Sequence, residues 1–459
     1  MKHLIKILCC WIPSKKYRKI ARQKLNEKLF QLLNRLMSTE QKMMLADNQK
    51  DGVVFFKQDY FKIQNKYNEF LYKLKNKIKN GQKIDVCFVV NAAQVFPART
   101  VFENMINDNI FNPFIIVVPL NIRNTNRFKT LADKTFDELS SQYKGRVYKG
   151  YDSDYNDIDF SDKIDIVFTP SNDEFVEPKN YKIYHFIKKG ILSIYCPYAW
   201  HIGSDKSAFT NDTVNFLWKY VSENTKNLAQ IKKESIISGI NAVLIGCVKV
   251  DKLESVKKIN RNRKRVIIAP HHSVKEIGLC SRFLFYADFF LELPNLYPDI
   301  EFIFRPHPCL IPNLEDESIW GIQKTARYVE KMKSFKNVVF DEGAEYFEYF
   351  VNSDGIIHDC GSFLPEYLLT GNPCCYLLKS NNTQKQYFNE FGQDCLQHYY
   401  HAFCKEDIIN FIDNVVLNGN DPMQKKRNDF INKCMKINYP NAGKIVVEYI
   451  KAELYERKG

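Results

Sequence analysis

Residues 355–378 read GIIHDCGSFLPEYLLTGNPCCYLL. The β-branched run GIIHD (355–359) has the composition of a buried strand. Gly361 interrupts it, and Ser362–Thr370 carries apolar residues at helical spacing. Gly371 stops that helix, and PCCYLL (373–378) is a second buried run. Strand, turn, helix and strand in so few residues predict parallel strands joined by a helical crossover.

The same alternation extends outward. RVIIAP (265–270), IEFIFRP (300–306) and NVVFD (337–341) read as further strands. An amphipathic helix is expected over 278–292 and a short one over 344–351. Upstream, KIDVCFVV (83–90), PFIIVVP (113–119) and KIDIVFTP (163–170) open a first set of strands. The apolar runs YKIYHFI, GILSIYCPYAW and NAVLIGCVKVD (241–251) follow, with a helix near 101–108. The polar, basic KLESVKKINRNRK (252–264) separates the two sets as a linker. The expected fold is therefore α/β: two doubly wound Rossmann-like domains facing a cleft, the GT-B arrangement, behind a basic helical N-terminal extension. The expected divisions are 1–80 for the extension, 81–255 for the first Rossmann-like domain, 256–430 for the second and 431–459 for a terminal helix.

Composition narrows the function. The 459 residues are 45% hydrophobic and 26% charged, as in folded domains. Net charge is +13, which favours an anionic partner such as a phosphorylated substrate or an anionic membrane surface. Glycine is scarce (18) beside 34 Phe and 26 Tyr, which argues against a Gly-rich phosphate loop. The aromatics follow strand and helix patterns, and no nucleic-acid motif accompanies the charge, so nucleic acid is not an expected partner. None of the 13 cysteines forms a C-x-x-C pair, and several lie in apolar runs; they read as reduced, buried thiols, and no metal site is expected.

No apolar run is long enough to span a bilayer. Residues 1–25 place Leu4, Ile5, Ile7, Leu8, Trp11 and Ile12 before Lys15, Lys16, Arg18, Lys19, Arg22 and Lys24. This composition suits an interfacial segment on an anionic cytoplasmic leaflet, and equally an amphipathic helix packed on the protein body. The corresponding location is cytoplasmic, peripheral on the inner face of the cell membrane.

Three neighbouring strand ends of the second domain hold polar groups, where open α/β sheets bind ligands. They are His271, His272 and Ser273; Arg305 and His307, each followed by proline; and His358, Asp359, Gly361 and Ser362. Together they contain four of the nine histidines. The helix start at Gly361–Ser362 is a candidate phosphate seat, with Ser362 as a simple N-cap the alternative. Arg305 offers a planar fork for phosphate. His307 is a candidate either to stabilise a departing phosphate or to act as an acid. Glu366, one turn in, is placed to reach a ribose hydroxyl or to favour the helix start.

At these residues the chain resembles the CDP-glycerol glycerophosphotransferase family. The similar segments are APHHS, FRPHP, SDGIIHDCGSFLPEYLLTGNPCCYL and NDPMQKKRNDF (420–430). In the first domain they are CFVVNAAQVFPARTVFENMINDNIFNPFIIVVP, IYCPYAWHIGSD, LWKYVSEN and GINAVLIGCVKVD, so the resemblance covers about residues 83–430. It implies a GT-B-like enzyme that uses a CDP-alditol as donor substrate, with no further cofactor. A hydroxyl of a glycan or polymer would be the acceptor, as in teichoic acid or capsule synthesis. The resemblance implies that the first domain takes the acceptor and the second the nucleotide donor. It implies that His307 matches the family's His-Pro histidine. Asp359, Gly361, Ser362 and Glu366 match its donor-binding turn. His201 in PYAWHIG is the nearest match to its W-H-G histidine, the candidate base. Gly361 replaces the first of two family serines. A GT-B glycosyltransferase using a nucleotide sugar, and a non-catalytic nucleotide-binding scaffold, are the alternatives.

Overall fold

The computed structural model describes residues 15–47, 53–120, 125–171, 178–275, 281–343, 345–380, 382 and 386–455. Of the interfacial segment expected over residues 1–25, residues 1–14 lie outside them. The first sheet has seven strands: β1 (Ile84–Val90), β2 (Phe111–Val117), β3 (Val147–Lys149), β4 (Ile166–Thr169), β5 (Leu192–Tyr195), β6 (Lys219–Ser222) and β7 (Ala242–Leu244). Their order is β3-β2-β1-β4-β5-β6-β7, and every pairing is parallel. The second has six: β8 (Arg265–Ala269), β9 (Glu301–Phe304), β10 (Val338–Phe340), β11 (Gly355–His358), β12 (Cys374–Leu377) and β13 (Tyr400–Ala402). Their order is β10-β9-β8-β11-β12-β13, again all parallel. Each sheet reverses winding beside its first strand, at β1/β4 and at β8/β11. Such switch points are where the loops part and a ligand crevice opens.

The β-branched and aromatic runs are buried on both sheet faces, as parallel sheets require. Phe88 of β1 stacks on Phe168 of β4 with centroids 4.5 Å apart. The run YKIYHFI is a helix, Ile183–Lys189, rather than a strand. Gly190 ends it in a left-handed conformation, φ 76°. β3, β6 and β13 are three- or four-residue strands that no sequence run singled out.

Both chain ends contribute to the first domain. In the helix Lys57–Lys79, Tyr60, Ile63, Tyr67, Phe70, Leu71 and Leu74 form one apolar stripe buried in the first core. Its Gln64 side chain donates to the carbonyls of Asn215 (3.1 Å) and Leu217 (2.9 Å). The helix Ala442–Tyr455 buries Val446, Val447, Ile450 and Leu454 in the same core. The Asp251 carboxylate accepts from the backbone N–H groups of Ala442 (3.1 Å) and Gly443 (2.7 Å), as an acid suits a helix start. The chain thus leaves the second domain and returns to the first.

Gly246 marks the crossing. Its φ is +112°, and a Cβ there would lie 2.2 Å from the Ile437 carbonyl oxygen. Gly246→Ala should destabilise the protein by about 2 kcal/mol or more through backbone strain and displacement of the returning segment. Calorimetric unfolding checks this, with a lowered melting temperature expected.

Candidate functional site

The loops after β8 and β11 meet at the switch point of the second sheet. Asp359 follows β11 directly and is fully buried. Its Oδ1 accepts from the His271 N–H at 2.6 Å, and its Oδ2 from the Arg282 N–H. One carboxylate therefore fastens the β8 loop, the helix Phe283–Leu296 and the end of β11 together. Burial pushes its pKa up to about 6, against the lowering effect of these donors. The Ser281 hydroxyl donates to the His271 carbonyl (3.0 Å), and Asn313 Nδ2 to the His272 carbonyl (2.9 Å). From the β9 end, the His307 N–H donates to the Pro270 carbonyl (3.0 Å).

This bracing gathers three imidazoles. Ring centroids are 4.2 Å apart for His271–His272, 4.3 Å for His272–His307 and 5.4 Å for His271–His307. One nitrogen from each ring lies within 4.8 Å of the others, a grouping from which a metal ion can be held. Sequence spacing alone did not reveal that grouping. The backbone favours a different use. Cys309 N–H donates to His307 Nδ1 (3.1 Å), and Ser273 N–H to His271 Nδ1 (3.3 Å). A neutral ring whose Nδ1 accepts carries its proton on Nε2. These two histidines thus present N–H donors, which suit an oxyanion better than a metal. Burial and the neighbouring histidines lower the His271 pKa to about 3.

Three of the expected residues are committed elsewhere. His358 points into the core between Tyr376 and Tyr399, with centroids 5.0 and 5.4 Å away, and burial lowers its pKa to about 3. Strand alternation sends it to the side opposite Asp359, whose carboxylate meets the connection after β8. Arg305 pairs with Asp341, donates to the Gly343 carbonyl (2.7 Å) and lies over the Tyr346 ring, so its fork ties the ends of β9 and β10. Glu366 is fully buried; Lys249 Nζ lies 2.8 Å from its Oε1, and the Tyr346 hydroxyl donates to Oε2. Both oxygens are occupied, leaving none for a ribose. Ser362 adopts helical angles and makes no capping bond to the six-residue helix Phe363–Leu368. A Cβ on Gly361 would meet only Ile202 of the first domain, at 3.4 Å.

His201 lies across from this turn. Its loop is stitched to the second domain: Asn389 N–H donates to the Ile202 carbonyl (2.8 Å), Asn389 Nδ2 to the His201 carbonyl (3.1 Å) and Ser204 N–H to the Tyr387 carbonyl (3.0 Å). The imidazole packs on Phe209 at 4.6 Å, and its Nε2 is buried with no hydrogen-bond partner. Burial lowers its pKa, which keeps the ring in its proton-accepting form. Sequence reading missed Glu223, whose Oε1 accepts from the His201 N–H at 2.8 Å. Burial raises that carboxyl to about 7, and its Oε2 is unpartnered. An acid within LWKYVSEN, directly after β6, was the available signal. Lys249 and Tyr346, which occupy Glu366, were also missed.

No family model matches the sequence. No curated protein matches it either. Solved structures do share the fold. The wall teichoic acid polymerase TagF superposes with a TM-score of 0.56 at 12% identity, covering 94% of this chain and 98% of that one. A putative UDP-N-acetylglucosamine 2-epimerase from Listeria monocytogenes gives 0.50 at 13% identity, covering 82% and 98%. At these identities the likeness establishes the architecture: two Rossmann-like domains in the GT-B arrangement.

Asp359 sets a testable pH dependence. Its pKa rises on folding from an ordinary value near 4 to about 6. The stability it contributes is complete below pH ~4 and lost as pH rises through about 6. Asp359→Asn removes this titration and leaves one backbone N–H facing an amide donor. The stability advantage of the wild type over Asp359→Asn should shrink by on the order of 2 kcal/mol between pH 4 and 7. Denaturant unfolding of both proteins at the two pH values measures it.

Proposed function

We propose that this protein is a transferase that moves a glycerol-phosphate or similar alditol-phosphate unit from a CDP-activated donor to a hydroxyl of a cell-surface glycan or polymer. The observation that carries the proposal is the set of imidazoles that Asp359 braces at the switch point of the second sheet. Preorganised N–H donors in a sheltered crevice suit a diphosphate whose charge grows as its leaving group departs. The resemblance to glycerophosphotransferases supports CDP as the activating group.

In the proposed reaction the acceptor oxygen bonds to the β-phosphorus. The bond from that phosphorus to the bridging oxygen breaks, and CMP leaves with the electron pair. His201 takes the hydroxyl proton; its neutral ring and unpartnered Nε2 support that role. His271, His272 and His307 hold the phosphates, with Gly361 and Ser362 forming the opposite wall. Arg305, Glu366 and His358 act through position, by fixing the strand ends and the turn.

The N-terminal segment is proposed to rest on an anionic cytoplasmic membrane face. Among the described residues no helix is long and apolar enough to cross a membrane. The helix Lys15–Leu36 leaves Ile20, Leu32 and Leu36 exposed in a basic stretch, which supports an interfacial position.

His307→Ala should fold normally and lose about 100-fold or more of the turnover of CDP-glycerol. Normal turnover in the folded variant would remove His307 from the reaction. A thermal-shift panel of CDP-glycerol, CDP-ribitol, and UDP- and CMP-sugars tests the donor, because a ligand of the native state raises the melting temperature. A rise confined to nucleotide sugars would replace this reading with a glycosyltransferase. No rise with any nucleotide would favour a non-catalytic role.

A further inference from the structure

A second charged cleft lies where the two domains and the linker meet. It has a cavity volume of about 40 Å³ and opens to solvent between the 93–100 segment after β1, the helix Val248–Ser255 and residues 345–347 of the second domain. Arg99 lies in its wall, only 8% exposed. Its guanidinium donates to the Ala93 carbonyl (2.8 Å) and Gln142 Oε1 (3.2 Å), with the Tyr143 hydroxyl also in reach; all three are neutral. Among the described residues no carboxylate lies within salt-bridge distance of it. A buried cation without a counter-ion is costly, and such groups mark sites that an anion completes.

Lys252 shares the wall. Its Nζ lies 3.3 Å from Glu103 Oε1, an acid that also accepts from the Tyr143 hydroxyl at 2.6 Å. Burial and the nearby Arg99 lower the Lys252 pKa, against Glu103 and Glu345. Glu345, also in the lining, is exposed to solvent. The third cation, Lys249, is already neutralised by Glu366. Among the described residues Lys252 is the cation paired with Glu103, and Arg99 is the charge left over.

We infer that Arg99 and Lys252 form a seat for an oxyanion carried by the acceptor, a phosphate or a carboxylate next to the hydroxyl that reacts. This assignment rests on the reading that the second domain holds the donor. The cleft opens at the carboxyl end of β1, on the first-domain side, where the partner of the donor would enter. A neutral acceptor has no use for a buried, uncompensated guanidinium.

Calorimetric titration of the full chain with α-glycerophosphate, galacturonate and glycerol tests the inference. The two anions are the arms that distinguish a phosphate source from a carboxylate source. At least one should bind the wild type, and glycerol should not. The double variant Arg99→Gln, Lys252→Gln should bind that anion about tenfold or more weakly. Arg99→Lys should retain part of the affinity. Lys252→Gln alone, at a less buried position, covers the case in which Arg99→Gln fails to fold, and should still weaken binding severalfold. Unchanged affinity in the folded variants, or no anion binding to the wild type, overturns the inference. CDP titrated into the same proteins separates the two claims. Arg99-dependent anion binding without CDP binding would sink the donor reading, and with it the assignment of this anion seat to the acceptor.

Discussion

The site depends on one buried carboxylate. Asp359 accepts backbone N–H groups from His271 and Arg282, the two ends of the connection between β8 and the helix Phe283–Leu296, which the sheet order places beside the end of β11. β8 and β11 are neighbours because the winding reverses between them. That reversal parts the loops and leaves backbone donors to be satisfied at the bottom of the crevice. An acid there satisfies two of them at once, at the cost of a raised pKa. The histidine cluster is the consequence: with the β8 loop pinned, His271 and His272 meet His307 from the adjoining strand.

A second set of interactions holds the two domains in register. Lys249, just before the linker, reaches Glu366 of the second domain in a buried pair closed by Tyr346. The His201 loop hydrogen-bonds to residues 387 and 389, and the terminal helix returns to the first core under Asp251. Buried charge pairs of this kind contribute little net stability but strongly disfavour arrangements that separate them. The relative placement of His201 and the histidine cluster follows from these contacts.

Much of the architecture was legible in the sequence because parallel strands buried on both faces must be continuous apolar runs. β1, β2, β4, β8, β9, β11 and β12 each stood out in this way. The short β3, β6 and β13 did not, since VYK, KYVS and YHA mix polar and apolar residues and form no continuous apolar run. YKIYHFI misled because a short apolar run fits a strand or a helix, and Gly190 decided for the helix. The polar strand ends were readable as a group, but individual side-chain directions were not. His358 and Asp359 are adjacent, and the pleat sends one against Tyr376 and Tyr399 and the other against the backbone of the connection after β8. The partners of Arg305 and Glu366, Asp341 and Lys249, are distant in sequence and could not be paired without the fold. Glu223 was overlooked because its function as the anchor of the His201 backbone depends on a contact across two strands.

The central claim is that the histidine cluster at the β8/β11 switch point receives the donor diphosphate through N–H groups. A crystal structure of the protein with CDP-glycerol, recorded with anomalous data at transition-metal edges, tests it most directly. The account predicts the diphosphate between His271, His272 and His307 on one side and the 359–362 turn on the other, with imidazole nitrogens at hydrogen-bond distance and no metal peak. A diphosphate bound elsewhere, or a metal ion at the centre of the three rings, would contradict it.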